Sequence, residues 1–200
     1  MKESSFYSER IKPVVVTAVL TIICISLVSV LHLSTRERVL ANEGLVLKRA
    51  VLYAAGITVP EANMEVNNLY EELVVEKEGF FQINNKSGQP QAYAFIQAGP
   101  GLWGEIEAVM AFDESLSRFA GVDFIKQNET PGLGARITES WFKEQLRGKS
   151  APLRMNPEGT ASAAPGEIDA ITGASRTSDY ALDLFNRAGE RAAELKGRIE

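Results

Sequence analysis

The spacing of hydrophobic and polar positions changes several times along the chain. From Pro13 to Thr35 there is no charged residue, and the core VVVTAVLTIICISLVSVL is almost wholly apolar. About 20 such residues span a bilayer as a helix. Beyond it, Val39, Leu40, Leu47, Ala50, Val51 and Ala54 form an apolar stripe that predicts a helix over residues 36–56 with Gly56 as its stop. Residues 61–73 are mixed and predict a second, short helix. The period then drops to two: LVVEKEGFFQI predicts two strands around Lys77-Glu78-Gly79, and AYAFIQA, GEIEAVMAFD and RFAGVDFIKQ predict further strands. Turns are expected at 84–90 and around 113–117. Thr138 is then expected to cap a helix running to about Arg147, with Glu139 in its first turn, Ile137 and Phe142 as a hydrophobic staple and Gly148 just past its end. Residues 151–168, rich in Ala, Pro, Gly and Ser, read as an irregular surface connection. Tyr180, Ala181, Leu184, Phe185 and Ala188 predict a final amphipathic helix over about 178–196. No repeat of solenoid length is present. Strands flanked by helices on a single apolar segment predict an α+β domain, its sheet antiparallel, on one N-terminal transmembrane helix.

Composition narrows the function. Two hundred residues, 45% of them hydrophobic, allow one domain plus appendages. A net charge of −5 argues against a nucleic-acid surface, which needs a basic patch. The single cysteine, Cys24, rules out an intramolecular disulfide and a cysteine-based metal site. His32 lies beside the apolar run, where interfacial packing is favoured over metal ligation, so no metal site is expected. A secretory signal would also open with positive charge. The apolar run is longer than the usual signal core, however, and no A-x-A-like site precedes Arg36, so an uncleaved anchor is preferred. Lys2, Arg10 and Lys12 place the N-terminal tail in the cytoplasm by the positive-inside rule, although Arg36 and Arg38 pull the other way. The expected organisation is a tail at 1–12, a transmembrane helix at 13–35, a membrane-proximal helical segment at 36–68 and an extracytoplasmic domain at 69–200, anchored in the inner (plasma) membrane.

Three loops carry candidate chemistry. In DAITGASRTSDY, Thr172, Ser175, Thr177 and Ser178 surround Gly173-Ala174 and open the last helix. Such a start suits a phosphate, because the backbone approaches closely at glycine, the first N–H groups are unpaired and the helix dipole favours negative charge. The simpler reading is that Thr177 or Ser178 caps the helix and Gly173 makes a turn. In QAGPGLWGEIEA, glycines around Trp103 either let something flat lie against the backbone or form a bulged hairpin with a core tryptophan. In NETPGLGAR, Pro131-Gly132 predicts a tight turn, Gly134 adds a flexible position, and the turn aims Glu129 and Thr130 into one concave place.

Together these stretches resemble the FMN-binding domain family found in the G subunit of Rnf electron-transport complexes and in the C subunit of sodium-pumping NADH:quinone reductase. The resemblance rests on the N-terminal anchor, GPGLWG, ETPGLG followed by a Trp141-Phe142 helix, and D-x-x-T-G-A-S-x-T-S, the last two about 40 residues apart. It implies FMN attached covalently by a phosphoester to Ser175, which stands where threonine is usual, through a dedicated flavin transferase, with Thr177 as the alternative acceptor. Asp169 matches the acidic position of the attachment signal, and Gln127 stands where histidine is frequent. Thr172, Gly173, Ala174, Thr177 and Ser178 are implied around the phosphate, and Arg176 either pairs with it or is solvated. Glu129, Thr130, Gly132, Leu133, Gly134 and Trp103 are implied around the flavin. No residue is expected to act as a catalytic acid, base or nucleophile toward a substrate.

The length resembles the Rnf G subunit more than the longer quinone-reductase subunit. The expectation is an electron carrier in a membrane-bound, ion-translocating ferredoxin:NAD+ oxidoreductase, partnered by the other membrane subunits. The rival readings are the C subunit of a quinone reductase, a non-redox binding or sensor module of the same fold, and an anchor that assembles other subunits.

Overall fold

The structure, a computed structural model, describes residues 10–199; Lys2 and most of the expected cytoplasmic tail lie outside the described residues. The chain divides into two units, 1–44 and 45–200. Helix α1 (Lys12–Ala54) contributes to both. Among the described residues it is the one helix long and apolar enough to cross a membrane. The hydroxyls of Thr17, Thr21, Ser26 and Thr35 donate to carbonyls one turn back, so these polar side chains of the apolar stretch are satisfied within the helix.

In the second unit the last turns of α1 are core. Ala50, Val51, Leu52 and Ala54 are buried. The helix closes where Ile57 N–H donates to Leu52 O and Gly56 N–H to Tyr53 O, both at 2.9 Å, the bond pair of a Schellman turn. The Arg147 guanidinium seals the same end by donating to the carbonyls of Tyr53, Ala54 and Ala120.

Helix α2 (Asn63–Leu73) leads into five strands: β1 (Val74–Lys77), β2 (Phe80–Asn84), β3 (Pro90–Pro100), β4 (Glu105–Asp113) and β5 (Phe119–Lys126). They form an antiparallel meander in sequence order, as the period-2 pattern predicts. Both faces of the sheet are covered, and the alternation along each strand sorts the side chains. Tyr93, Phe95, Ile106, Ala108, Met110 and Phe112 pack with Phe119, Phe142 and Phe185 on one side. Ala92, Ala94, Val109 and Ala111 pack with the end of α1 and with Val66, Tyr70 and Leu73 of α2 on the other. The small residues on that second face let the helix backbone come close to the sheet.

After β5 come a 3₁₀ turn (Gly134–Thr138), α3 (Ser140–Glu144), the short strands β6 (Arg154–Asn156) and β7 (Glu167–Asp169), and α4 (Ser175–Ile199). Three local expectations are corrected here. Thr138 does not cap a helix, because its hydroxyl donates to Ala135 O at 2.9 Å and Glu139 occupies the cap position of a much shorter α3. Residues 151–168 are not wholly irregular, since β6 and β7 pair in parallel. Lys149 Nζ holds that segment by donating to Ser162 O and Ala164 O. The last helix begins at Ser175, so Thr177 and Ser178 lie inside its first turn and not before it.

Candidate functional site

Three loops converge beside the start of α4. The first joins β3 to β4 and contains Leu102 and Trp103; the second runs from β5 into the 3₁₀ turn and contains Glu129 to Gly134; the third runs from Ile171 to Ala174. Between them lies a half-open cavity of about 300 Å³. Glu129, Thr130, Leu133 and Gly134 line one side, Gly173 to Thr177 the other, and Leu102 completes the wall.

Glu129 holds the loops together. It is 4% exposed, and both carboxylate oxygens are engaged. Oε1 accepts the N–H groups of Leu102 (2.8 Å) and Trp103 (3.2 Å), and Oε2 accepts the Thr177 hydroxyl at 2.5 Å. Gln127 Oε1 in turn accepts the Glu129 N–H at 2.7 Å. Gly134 fits against this arrangement only because it lacks a side chain: a Cβ there would stand 2.5 Å from Thr177 Oγ1 and 2.7 Å from Glu129 Oε2. Gly173 has φ +80° with Leu133 Cδ2 3.2 Å from its would-be Cβ, so the loop turns in a conformation that favours glycine.

A second bracket lies behind the third loop. Arg136 makes a bidentate pair with Glu158 (Nη2 to Oε1, 2.8 Å) and lies 5.1 Å from the Trp141 ring centroid. Glu158 Oε2 accepts the Thr172 N–H at 2.6 Å. The guanidinium first, and the Thr172 N–H next, hold the Glu158 carboxyl down at about 2. Sequence reasoning singled out neither Arg136 nor Glu158, because the partners are brought together only by the β6–β7 segment.

The expected site residues fall into distinct places. Ser175 is exposed, lines the cavity and is the first residue of α4. The Ser178 N–H donates to Ala174 O at 2.9 Å and starts the helix ladder, so the N–H groups of residues 175–177 precede it. Gly173, Ala174, Thr177, Glu129, Thr130, Leu133 and Gly134 also line the cavity. Thr172, Ser178, Asp169, Gly132 and Trp103 are not among the lining residues. Ser178 is buried and its hydroxyl accepts the Ile171 N–H at 3.0 Å. Asp169 is buried; Oδ2 accepts the N–H groups of Gly159 and Ala161, and Oδ1 has no hydrogen-bond partner among the described residues. Trp103 is 67% exposed, so it is not the core tryptophan of a bulged hairpin. Leu102, its neighbour in the same turn, lines the cavity instead.

The arrangement suits FMN. A cavity of about 300 Å³ is at the small end of cofactor sites, so a flavin would be held in part and left open in part. The helix start and Arg176 offer an anion place, and Leu102 and Leu133, 46% and 44% exposed, offer apolar surface at the mouth.

Comparison with known proteins agrees. Residues 101–190 match the family described as FMN-binding domain. The chain is 28% identical over 155 residues to the G subunit of the Na(+)-translocating ferredoxin:NAD(+) oxidoreductase complex of Acetobacterium woodii, covering 63% of this chain and 73% of that one. It is 25% identical over 195 residues to the G subunit of the ion-translocating oxidoreductase complex of Methanosarcina acetivorans, covering 95% and 98%. The crystal structure of the C subunit of Na(+)-translocating NADH-quinone reductase from Parabacteroides distasonis has the same fold, with a TM-score of 0.66 at 24% identity over 78% of this chain and 95% of that one. The matched region includes Leu102, Glu129 and Ser175, all of which line the cavity. Residues 101–190 thus match the FMN-binding domain family, and the chain is similar to the G subunits of ion-translocating oxidoreductase complexes over most of their length.

Proposed function

We propose that the chain is the electron carrier of an Rnf-type, ion-translocating ferredoxin:NAD+ oxidoreductase, with FMN attached to Ser175 through a phosphoester. The observation that carries the attachment site is the contrast among four hydroxyls. Ser175 is exposed and lines the cavity, whereas Thr177 is buried with its hydrogen given to Glu129. Ser178 is buried against Ile171, and Thr172 is exposed but outside the cavity wall. A flavin transferase therefore reaches Ser175 without opening the domain.

Bound there, FMN supplies reversible electron transfer, and the protein supplies its place and surroundings. Ser175 would hold the phosphate at the positive end of α4, and Arg176, the next residue, would supply a counter-charge. Leu102 and Leu133 exclude water from one side of the cavity. Glu129 and Thr177 keep the loops in register. The apolar part of α1 anchors the protein in the plasma membrane, with the basic N-terminal tail in the cytoplasm and the domain outside, among the other membrane proteins of the complex. A covalent link keeps the cofactor from being lost there. The second reading, the C subunit of a quinone reductase, is favoured by the fold shared with the Parabacteroides distasonis protein; partner proteins co-purified with the chain separate the two.

The test is in-gel flavin fluorescence of the denatured full chain matured with a flavin transferase. The native chain and Thr177→Val should fluoresce, and Ser175→Ala should be dark. A fluorescent Ser175→Ala moves the link to another residue, and a dark native chain removes the carrier function.

A further inference from the structure

The reading above leaves Glu129 as a scaffold residue, but its position gives it a second effect. Glu129 is 4% exposed and lines the cavity, and its carboxylate is bonded to Leu102 and Thr177, two residues that line it as well. Among the described residues Arg176 is the one cationic side chain lining the cavity, and it is exposed and lies 5.9 Å from the Tyr180 ring centroid. The Glu129 charge therefore meets the cavity with little solvent between, compensated by two backbone N–H groups and one hydroxyl.

We propose that Glu129 sets the reduction potential of the flavin held in this cavity, its buried negative charge making that group harder to reduce. The inference rests on the FMN-carrier reading. Each electron drawn from the donor adds one negative charge to the bound group until a proton follows it from water, and that added charge is repelled by the carboxylate. A cavity of this volume is about 8 Å across, and at that distance with an effective dielectric of about 20, Coulomb's law changes the ratio of reduced to oxidised carrier by roughly tenfold or more. Tenfold in a one-electron step corresponds to about 59 mV.

Two substitutions separate charge from packing. Glu129→Gln removes the charge and keeps the bonds, because the amide oxygen still accepts from Leu102 and Trp103 and the amide nitrogen donates to the Thr177 oxygen. Thr177→Val does the reverse: it keeps the charge and removes one of the three donors that disperse it. The measurement is the midpoint potential of the full, flavin-loaded chain in detergent, followed by visible absorbance during titration with dithionite as electron donor. In the first, one-electron step of the titration Glu129→Gln is expected about 59 mV or more above the native chain, and Thr177→Val below it. If both variants move upward together, loosening of the loops is the cause and the proposal is overturned; an unmoved or lowered midpoint in Glu129→Gln also overturns it. Should Glu129→Gln fail to fold, Thr177→Val decides alone, a lower midpoint supporting the proposal and a higher one ending it. A native chain without flavin would instead remove the carrier reading on which this rests.

Discussion

Replacing Gly134 by alanine adds one methyl group at the tightest point of the site. The new carbon would stand 2.5 Å from Thr177 Oγ1, 2.7 Å from Glu129 Oε2 and 3.0 Å from Glu129 Cβ. Neither neighbour is free to move aside. Glu129 is held by the N–H groups of Leu102 and Trp103, and Thr177 is in the first turn of α4 with 2% exposure. Forcing a methyl into a packed place costs about 1–3 kcal/mol. If the Thr177–Glu129 bond breaks to make room, a buried acceptor is left unpaired at a further cost of about 1–3 kcal/mol. Taking about 2 kcal/mol as the smallest net effect, and about 2–4 °C per kcal/mol for a domain of this size, Tm should fall by about 4–8 °C. Thermal unfolding of the full chain in detergent, read through tryptophan fluorescence, measures it. The control is Gly197→Ala on exposed α4, where a Cβ meets nothing within 4 Å and helix propensity favours alanine by about 1 kcal/mol at most. If Gly134→Ala melts with the native chain while Gly197→Ala behaves as expected, the close approach of the three loops is wrong.

Two further outcomes test the core and the second bracket. Phe185→Ala should destabilise the unit by about 3–5 kcal/mol in a denaturant titration, because its ring is fully buried among Phe119, Phe124 and Phe142 at centroid distances of 6.5, 6.4 and 6.2 Å. Glu158, held at about 2 against an ordinary 4.5, gives its pairing to the folded state fully above the ordinary value and loses it as the pH falls through the folded one. Protection of the 171–174 loop against proteolysis should therefore weaken between those two values in the native chain. It should be weak throughout in Glu158→Gln, and equal protection of the two at neutral pH would refute the bracket.

Much of the sheet was legible because each strand carries its own period. Ala92 to Phe95 and Ile106 to Phe112 alternate between the two faces, the turns between strands are marked by polar residues or glycine, and a meander needs no long-range information beyond that. The parallel pair β6–β7 was not legible, since three residues hold too little pattern to stand out from Ala, Pro and Gly around them. The start of α4 was placed late because Ser175 and Arg176 are polar and lie on its exposed side, leaving the apolar stripe to begin further on. In the site, Ser175 and Glu129 could be singled out from their motifs. That Glu129 spends both oxygens on the protein could not, because its donors lie 26 to 48 residues away. The same holds for Leu102 in place of Trp103: which of two adjacent side chains turns inward depends on the backbone that Glu129 fixes.

The burial of Ala50, Val51, Leu52 and Ala54 bears on how a water-soluble version of this protein has to be cut. A break made where hydropathy falls, at about residue 36, spares this stretch, but one made at the start of the first strand strips the sheet of half its cover and lays Ala92, Ala94, Val109 and Ala111 open to water. The same ten or so residues that continue the anchoring helix are thus an indispensable wall of the flavin domain, and the two roles share one uninterrupted piece of chain.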